Sequence, residues 1–174
     1  MRRQITLALM ILVTYLIQTS FLTLFPLPAT PNLLLILTVS VGFMRGRRAG
    51  LMVGFFSGLL LDLFYSSLFG ISALVFMYAG YLTGSMYQVF FDEDIKLPML
   101  FSGLADLAYQ LIFFIAVFAV RRRLAFPAYL RSVILPEVVI TVIFTILFYR
   151  IYYAVNRQLA AYELEEEQSP WLRR

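Results

Sequence analysis

The sequence contains no cysteine and no histidine in 174 residues. The first absence removes disulfides and thiol nucleophiles; the second removes imidazole bases and the commonest ligand for zinc, copper and haem. A Ser-His protease is excluded by the same gap, and a zinc protease lacks its H-E-x-x-H signature. No cofactor and no metal site is expected. Charge is scarce as well, at 14% of residues against about a quarter in a soluble domain. The segments between apolar runs are all shorter than the roughly 40 residues that a marginal soluble domain needs. A nucleotide-hydrolysing module has no place to fold, so energy-driven work would fall to partners. The runs also lack the alternation of barrel strands, which leaves helices as the way across a bilayer.

What is present is apolar residues, 61% of the chain, with a mean hydropathy of +0.85. A hydrocarbon core of about 30 Å takes about 20 helical residues to cross. Six runs stand out, at 5–25, 31–44, 49–65, 70–90, 97–120 and 132–153. They predict an all-α polytopic membrane protein, six transmembrane helices in one bundle over residues 1–156, with a cytoplasmic acidic tail at 157–174. The opening run is about 20 residues long, beyond the core of a secretory signal, and no A-x-A-like site follows it. The second run is short, about 21 Å as a helix. It must tilt little, thin the bilayer or be shielded by neighbours. Its start, "ATPN", predicts Thr30 as cap and Pro31 as first helical residue.

Lys and Arg set the orientation. With the N-terminus inside, the inner side holds Arg2, Arg3, Arg45, Arg47, Arg48, Lys96, Arg150, Arg157, Arg173 and Arg174, and the outer side holds Arg121, Arg122, Arg123 and Arg131. The expectation is N-in and C-in. Arg121 to Arg123 run against it, and a fifth run that re-enters without crossing is the alternative. The net charge of +4 fits topology charges and anionic lipid, with Arg45, Arg47 and Arg48 as lipid contacts. No basic-aromatic module for nucleic acid is present.

In "GLMVGFFSGLLLDLFYSSLFG", Gly50, Gly54 and Gly58 recur every four residues, and the next step is Asp62. Helices in lipid gain nothing hydrophobic by meeting, so close backbone approach must supply the attraction. The groove drifts about 40° per step. Its occupant is either the fourth span, which offers Gly80 and Gly84, or a partner's helix. A charged Asp at a span's centre costs about 2.5–3.5 kcal/mol, and less near the interface. Asp62 falls near the outer end of the third span. There it either accepts hydrogen bonds from the following loop, with Ser66, Ser67 and the exposed amides as donors, or meets a ligand, proton or partner. Asn32 and Glu137 complete an outer polar layer with Asp62. Asp106 and Gln110, one turn apart, form a buried polar pair in the fifth span. An aspartate dyad of Asp62 and Asp106 is not expected, because the two lie at different depths. The chain reads as non-enzymatic.

The stretch from Pro31 to Gly84 resembles the MreD family of bacterial rod-shape-determining membrane proteins. The matching features are Pro31-Asn32-Leu33 opening the second span, the basic loop Arg45 to Arg48, Gly54 and Gly58 before Asp62, and Gly70 after a short loop. Tyr65-Ser66-Ser67 departs from the glycine frequent there in the family. The resemblance implies a multi-pass scaffold of the bacterial inner membrane, serving cell elongation and peptidoglycan synthesis. It implies MreC as direct partner, with MreB, RodA and the penicillin-binding transpeptidase in the wider complex. It also implies likeness to the six-helix substrate-binding subunits of energy-coupling-factor transporters. A vitamin or small-solute transport subunit is therefore the alternative function. Against it, the first span carries no pair of alanines four apart.

Overall fold

The computed structural model describes residues 2–21, 29–64, 69–87, 95–121 and 126–168. All regular structure among them is helical. α1 (Arg2–Leu16) is prolonged by a π turn, Ile17–Phe21. α2 (Leu33–Arg45), α3 (Arg47–Phe64), α4 (Ile71–Ser85) and α5 (Lys96–Arg121) follow. A short α6 (Phe126–Tyr129) and a second π turn, Leu130–Ile134, lead into α7 (Leu135–Gln168). Among the described residues, each apolar run holds one principal helix. Lys96–Ala116 and Pro127–Glu163 are long and apolar enough to cross a membrane. α5 is unbroken over its 26 residues, so a re-entrant fifth segment would need a reversal that this helix does not make.

α2 is the hub. It packs against α1, α3, α4, α5 and α7, and every residue from Leu33 to Phe43 is buried. This is how a helix of 13 residues, about 20 Å long, survives: its neighbours shield it all round. Its start departs from the sequence expectation. The cap is Asn32, not Thr30, and the first helical residue is Leu33, not Pro31. A buried helix start must find acceptors for its free amides. Leu33 N–H donates to the Pro31 carbonyl at 3.1 Å, Leu34 N–H to Gln18 Oε1 at 3.0 Å and Leu35 N–H to Asn32 Oδ1 at 3.4 Å. Asn32 wins because its carboxamide caps this helix and reaches a second one at the same time.

α2 turns into α3 through Gly46, whose φ of +82° is strained for any residue with a Cβ. Its N–H donates to the Gly42 carbonyl at 2.9 Å. α3 and α4 then lie antiparallel along their whole length, with glycines on both sides of the seam. A Cβ at Gly50 would overlap the Gly80 carbonyl, one at Gly54 the Phe76 carbonyl, and one at Gly58 the Ser72 carbonyl. At Gly84 it would lie 2.5 Å from the Arg47 nitrogen. The glycine groove is therefore filled from within by α4. A partner's helix has no room on that face, and the expectation of one there is corrected. Thr38 of α2 caps the seam, its methyl over Gly54 and Gly80.

The exterior is apolar, and the largely apolar core also holds polar groups. Leu9, Leu12, Leu104, Ile112, Ile143 and Leu147 are exposed, whereas Thr38, Ser40, Thr83, Asp106, Thr141 and Thr145 are buried. Several buried hydroxyls donate to their own helix: Thr38 to the Leu34 carbonyl at 2.9 Å, Thr83 to Ala79 at 2.8 Å and Thr145 to Thr141 at 2.8 Å. Such back-bonding satisfies the group without water. At the opposite end from Asn32, Arg45 donates to Asn156 and forms an ion pair with Glu163 at 3.1 Å. The acidic extension of α7 thus returns to its own bundle. Residues 169–174 and the side chains of Glu165 to Glu167 lie outside the described residues.

Candidate functional site

Two carboxylates and an asparagine organise the polar interior, each placed by a different helix. Asp62, on the last turn of α3, is buried and accepts from three amides of the next helix start. Gly70 N–H lies 3.0 Å from Oδ2, Ala73 N–H 2.9 Å from Oδ2 and Ser72 N–H 3.2 Å from Oδ1. Gly70, with φ of +98°, begins α4 and has no side chain to cap it, so Asp62 supplies the cap from across the turn. Negative charge at a helix N-terminus also complements the dipole. Of the expected donors, the exposed amides act; Ser66 and Ser67 lie outside the described residues.

Asn32 and Asp106 form the second centre. Asn32 Nδ2 donates to Asp106 Oδ1 at 3.3 Å, and Asn32 N–H donates to Thr141 Oγ1 at 3.2 Å. Asp106 is fully buried, with Thr141 beside its carboxyl and no hydrogen-bond partner at Oδ2 among the described residues. Glu137, one turn before Thr141 on α7, meets the side chain of Gln110 and lies within electrostatic reach of Asp106. The expected grouping is thus redrawn. Asn32 joins the pair Asp106 and Gln110 with Glu137 alongside, and Asp62 holds a site of its own on α4. Tyr109 links the two, its hydroxyl 3.2 Å from Ser72 Oγ, while Ser72 N–H donates to Asp62. The sequence reading missed Gln18, Ser72, Tyr109 and Thr141. Two had a signal: Tyr109 is three residues past Asp106, and Thr141 is four past Glu137, the spacings that share a helix face.

No Lys or Arg enters this network among the described residues, and no group of three or more Asp or Glu there could hold a metal. Asp62 is spent on backbone amides, and Asp106 Oδ1 and Glu137 meet carboxamides. This arrangement fixes helices relative to one another.

The basic residues divide differently from the expectation that Arg45, Arg47 and Arg48 all face lipid. Arg45 is committed to Glu163 and Asn156, because its buried guanidinium needs internal acceptors. Arg47 lies over the Tyr81 ring at 5.8 Å from its centroid. Arg48 is exposed.

Buried hydroxyls and carboxyls, an apolar exterior and two helices of membrane-crossing length define the class: this is a helical membrane protein. The family model of the rod shape-determining protein MreD matches residues 1–158, and the chain belongs to the MreD family. A comparison with curated proteins finds no match, and neither does a comparison with solved structures.

Proposed function

We propose that this chain is a non-enzymatic scaffold of the bacterial rod-shape complex. On this reading it spans the inner membrane six times, with both termini cytoplasmic, in an architecture like that of energy-coupling-factor substrate subunits. It binds MreC, and through it joins MreB, RodA and the penicillin-binding transpeptidase to help place peptidoglycan synthesis. The observation that carries this is membership of the rod-shape-determining family over residues 1–158. The interior supports it, because its described polar groups tie helices to one another.

Since α4 fills the glycine groove, a partner's helix belongs on an outward face. The strongest candidate is the stripe Leu74, Tyr78 and Leu82 of α4, all more than half exposed. Tyr78 lies at the midpoint of α4, where lipid tails give its hydroxyl no acceptor. A protein helix supplies one. The test is photocrosslinking in native membranes with a benzophenone amino acid at Tyr78, compared with Ile112 and Ile143, followed by mass spectrometry. MreC attached at Tyr78 and weak at the other two is the expected result. Recovery of MreC at none of them ends the reading.

A further inference from the structure

A groove of about 860 Å³ opens between α1 and α3. Leu7 and Ile11 line one wall, Phe56 and Leu60 the other, and Arg3 and Arg48, from the first turns of α1 and α3, line it as well. The chemistry is that of an amphiphile: apolar along its length and cationic at one end. Arg3 and Arg48 are exposed, and neither has a carboxylate partner among the described residues; Arg45 is held by Glu163, and Arg47, also exposed, lies over the Tyr81 ring and does not line the groove. Depth narrows the choice further. The α1 wall runs from Arg3 to Leu12, about 14 Å of helix, and the α3 wall from Arg48 to Leu63, about 23 Å, so both stop short of a hydrocarbon core of about 30 Å. A transmembrane partner helix needs a trough through both leaflets. An acyl chain needs one.

We propose that this groove holds an anionic phospholipid of the adjoining leaflet. Its phosphate lies between Arg3 and Arg48, and an acyl chain runs along Leu7, Ile11, Phe56 and Leu60. Arginine suits a phosphate by its planar fork of N–H donors. A zwitterionic lipid fills the trough equally well but meets the two cations with a headgroup of no net charge. The proposal is independent of any protein partner, so its failure leaves the scaffold reading standing.

The test uses the full chain in vesicles, with Trp171→Phe removing the single native tryptophan and Phe56→Trp placing a reporter in the groove. Vesicles hold phosphatidylglycerol and phosphatidylcholine in equal parts, with bromine on the acyl chains of one lipid or the other. Quenching by brominated phosphatidylglycerol is expected to report an enrichment on the order of thirtyfold, the size two surface arginines give at about 1 kcal/mol each. In Arg3→Gln/Arg48→Gln the enrichment should fall to one. A reporter at Tyr78→Trp, on the outward face of α4, should show none. Equal quenching by both lipids at Phe56→Trp overturns the proposal in favour of ordinary annular lipid. Enrichment that persists in the double variant overturns it too. So does the absence of quenching by either lipid, which means a closed groove or a protein helix in it. Should Phe56→Trp fail to fold, native mass spectrometry of the otherwise unsubstituted chain reads the same question. A retained phosphatidylglycerol that is lost in Arg3→Gln/Arg48→Gln supports the site, and equal retention overturns it.

Discussion

Asp62 does at the residue scale what a local cap does in most helices, but from a neighbouring element. Three backbone amides depend on it, and charge-assisted bonds of this kind are worth about 1.5–3 kcal/mol when one partner is removed. Asp62→Ala is expected to cost about 3 kcal/mol in a reversible unfolding titration in mixed micelles. Asp62→Asn, which keeps one acceptor, should lose about half of that. The pair Asn32 and Asp106 makes a sharper test, because Asn32 both caps α2 and donates to the carboxyl. Asn32→Asp alone sets two acceptors face to face. Adding Asp106→Asn restores a donor opposite an acceptor. The double exchange should recover about 1–2 kcal/mol relative to the sum of the single changes, within the range measured for coupled neighbours. Additivity in that cycle would mean the two side chains do not bond.

Between elements, the governing contact is the α3–α4 seam. Glycine at positions 50, 54, 58, 80 and 84 lets two backbones touch, which strengthens dispersion and carbonyl contacts where lipid offers no hydrophobic drive. Gly54→Leu or Gly58→Leu must push α4 away, and the expected loss exceeds about 3 kcal/mol, above the common range for overpacking. The readout is recovery of monodisperse protein and its unfolding midpoint. Normal folding with loss of partner binding alone would contradict the internal seam and return the groove to a partner. The same four-residue spacing serves an own helix and a foreign one equally. That is why the sequence disclosed a close contact there and could not name its occupant.

For the molecule as a whole, the absence of native cysteine makes topology directly measurable. With both termini inside, Arg131→Cys should react with a membrane-impermeant maleimide added outside intact spheroplasts. Arg3→Cys and Arg157→Cys should react only after permeabilisation. Labelling of Arg157→Cys from outside would replace six crossings by five. The Arg45–Glu163 ion pair bears on the same picture, since it ties the end of α7 to the turn after α2 and so sets both on one side of the bundle.

The sequence by itself determined the helical class and the approximate place of each principal helix, because apolar content and run length answer to the bilayer, but not the helix ends, the Asn32 cap or the two π turns. It left Asp62 between two roles, a cap for the amides beyond the tight turn or a contact for a ligand, proton or partner, and the structure shows the cap. Only the tertiary structure decided that α2 is the buried hub and that Asn32 belongs with Asp106, 74 residues away in the chain. The same holds for Arg45, which turns inward to Glu163 while Arg48 faces the groove beside α1. Periodicity gives the face of a helix, but the partner of that face is fixed by which neighbours can approach it. In lipid, that choice rests on glycine-sized gaps and on polar atoms that must find one another.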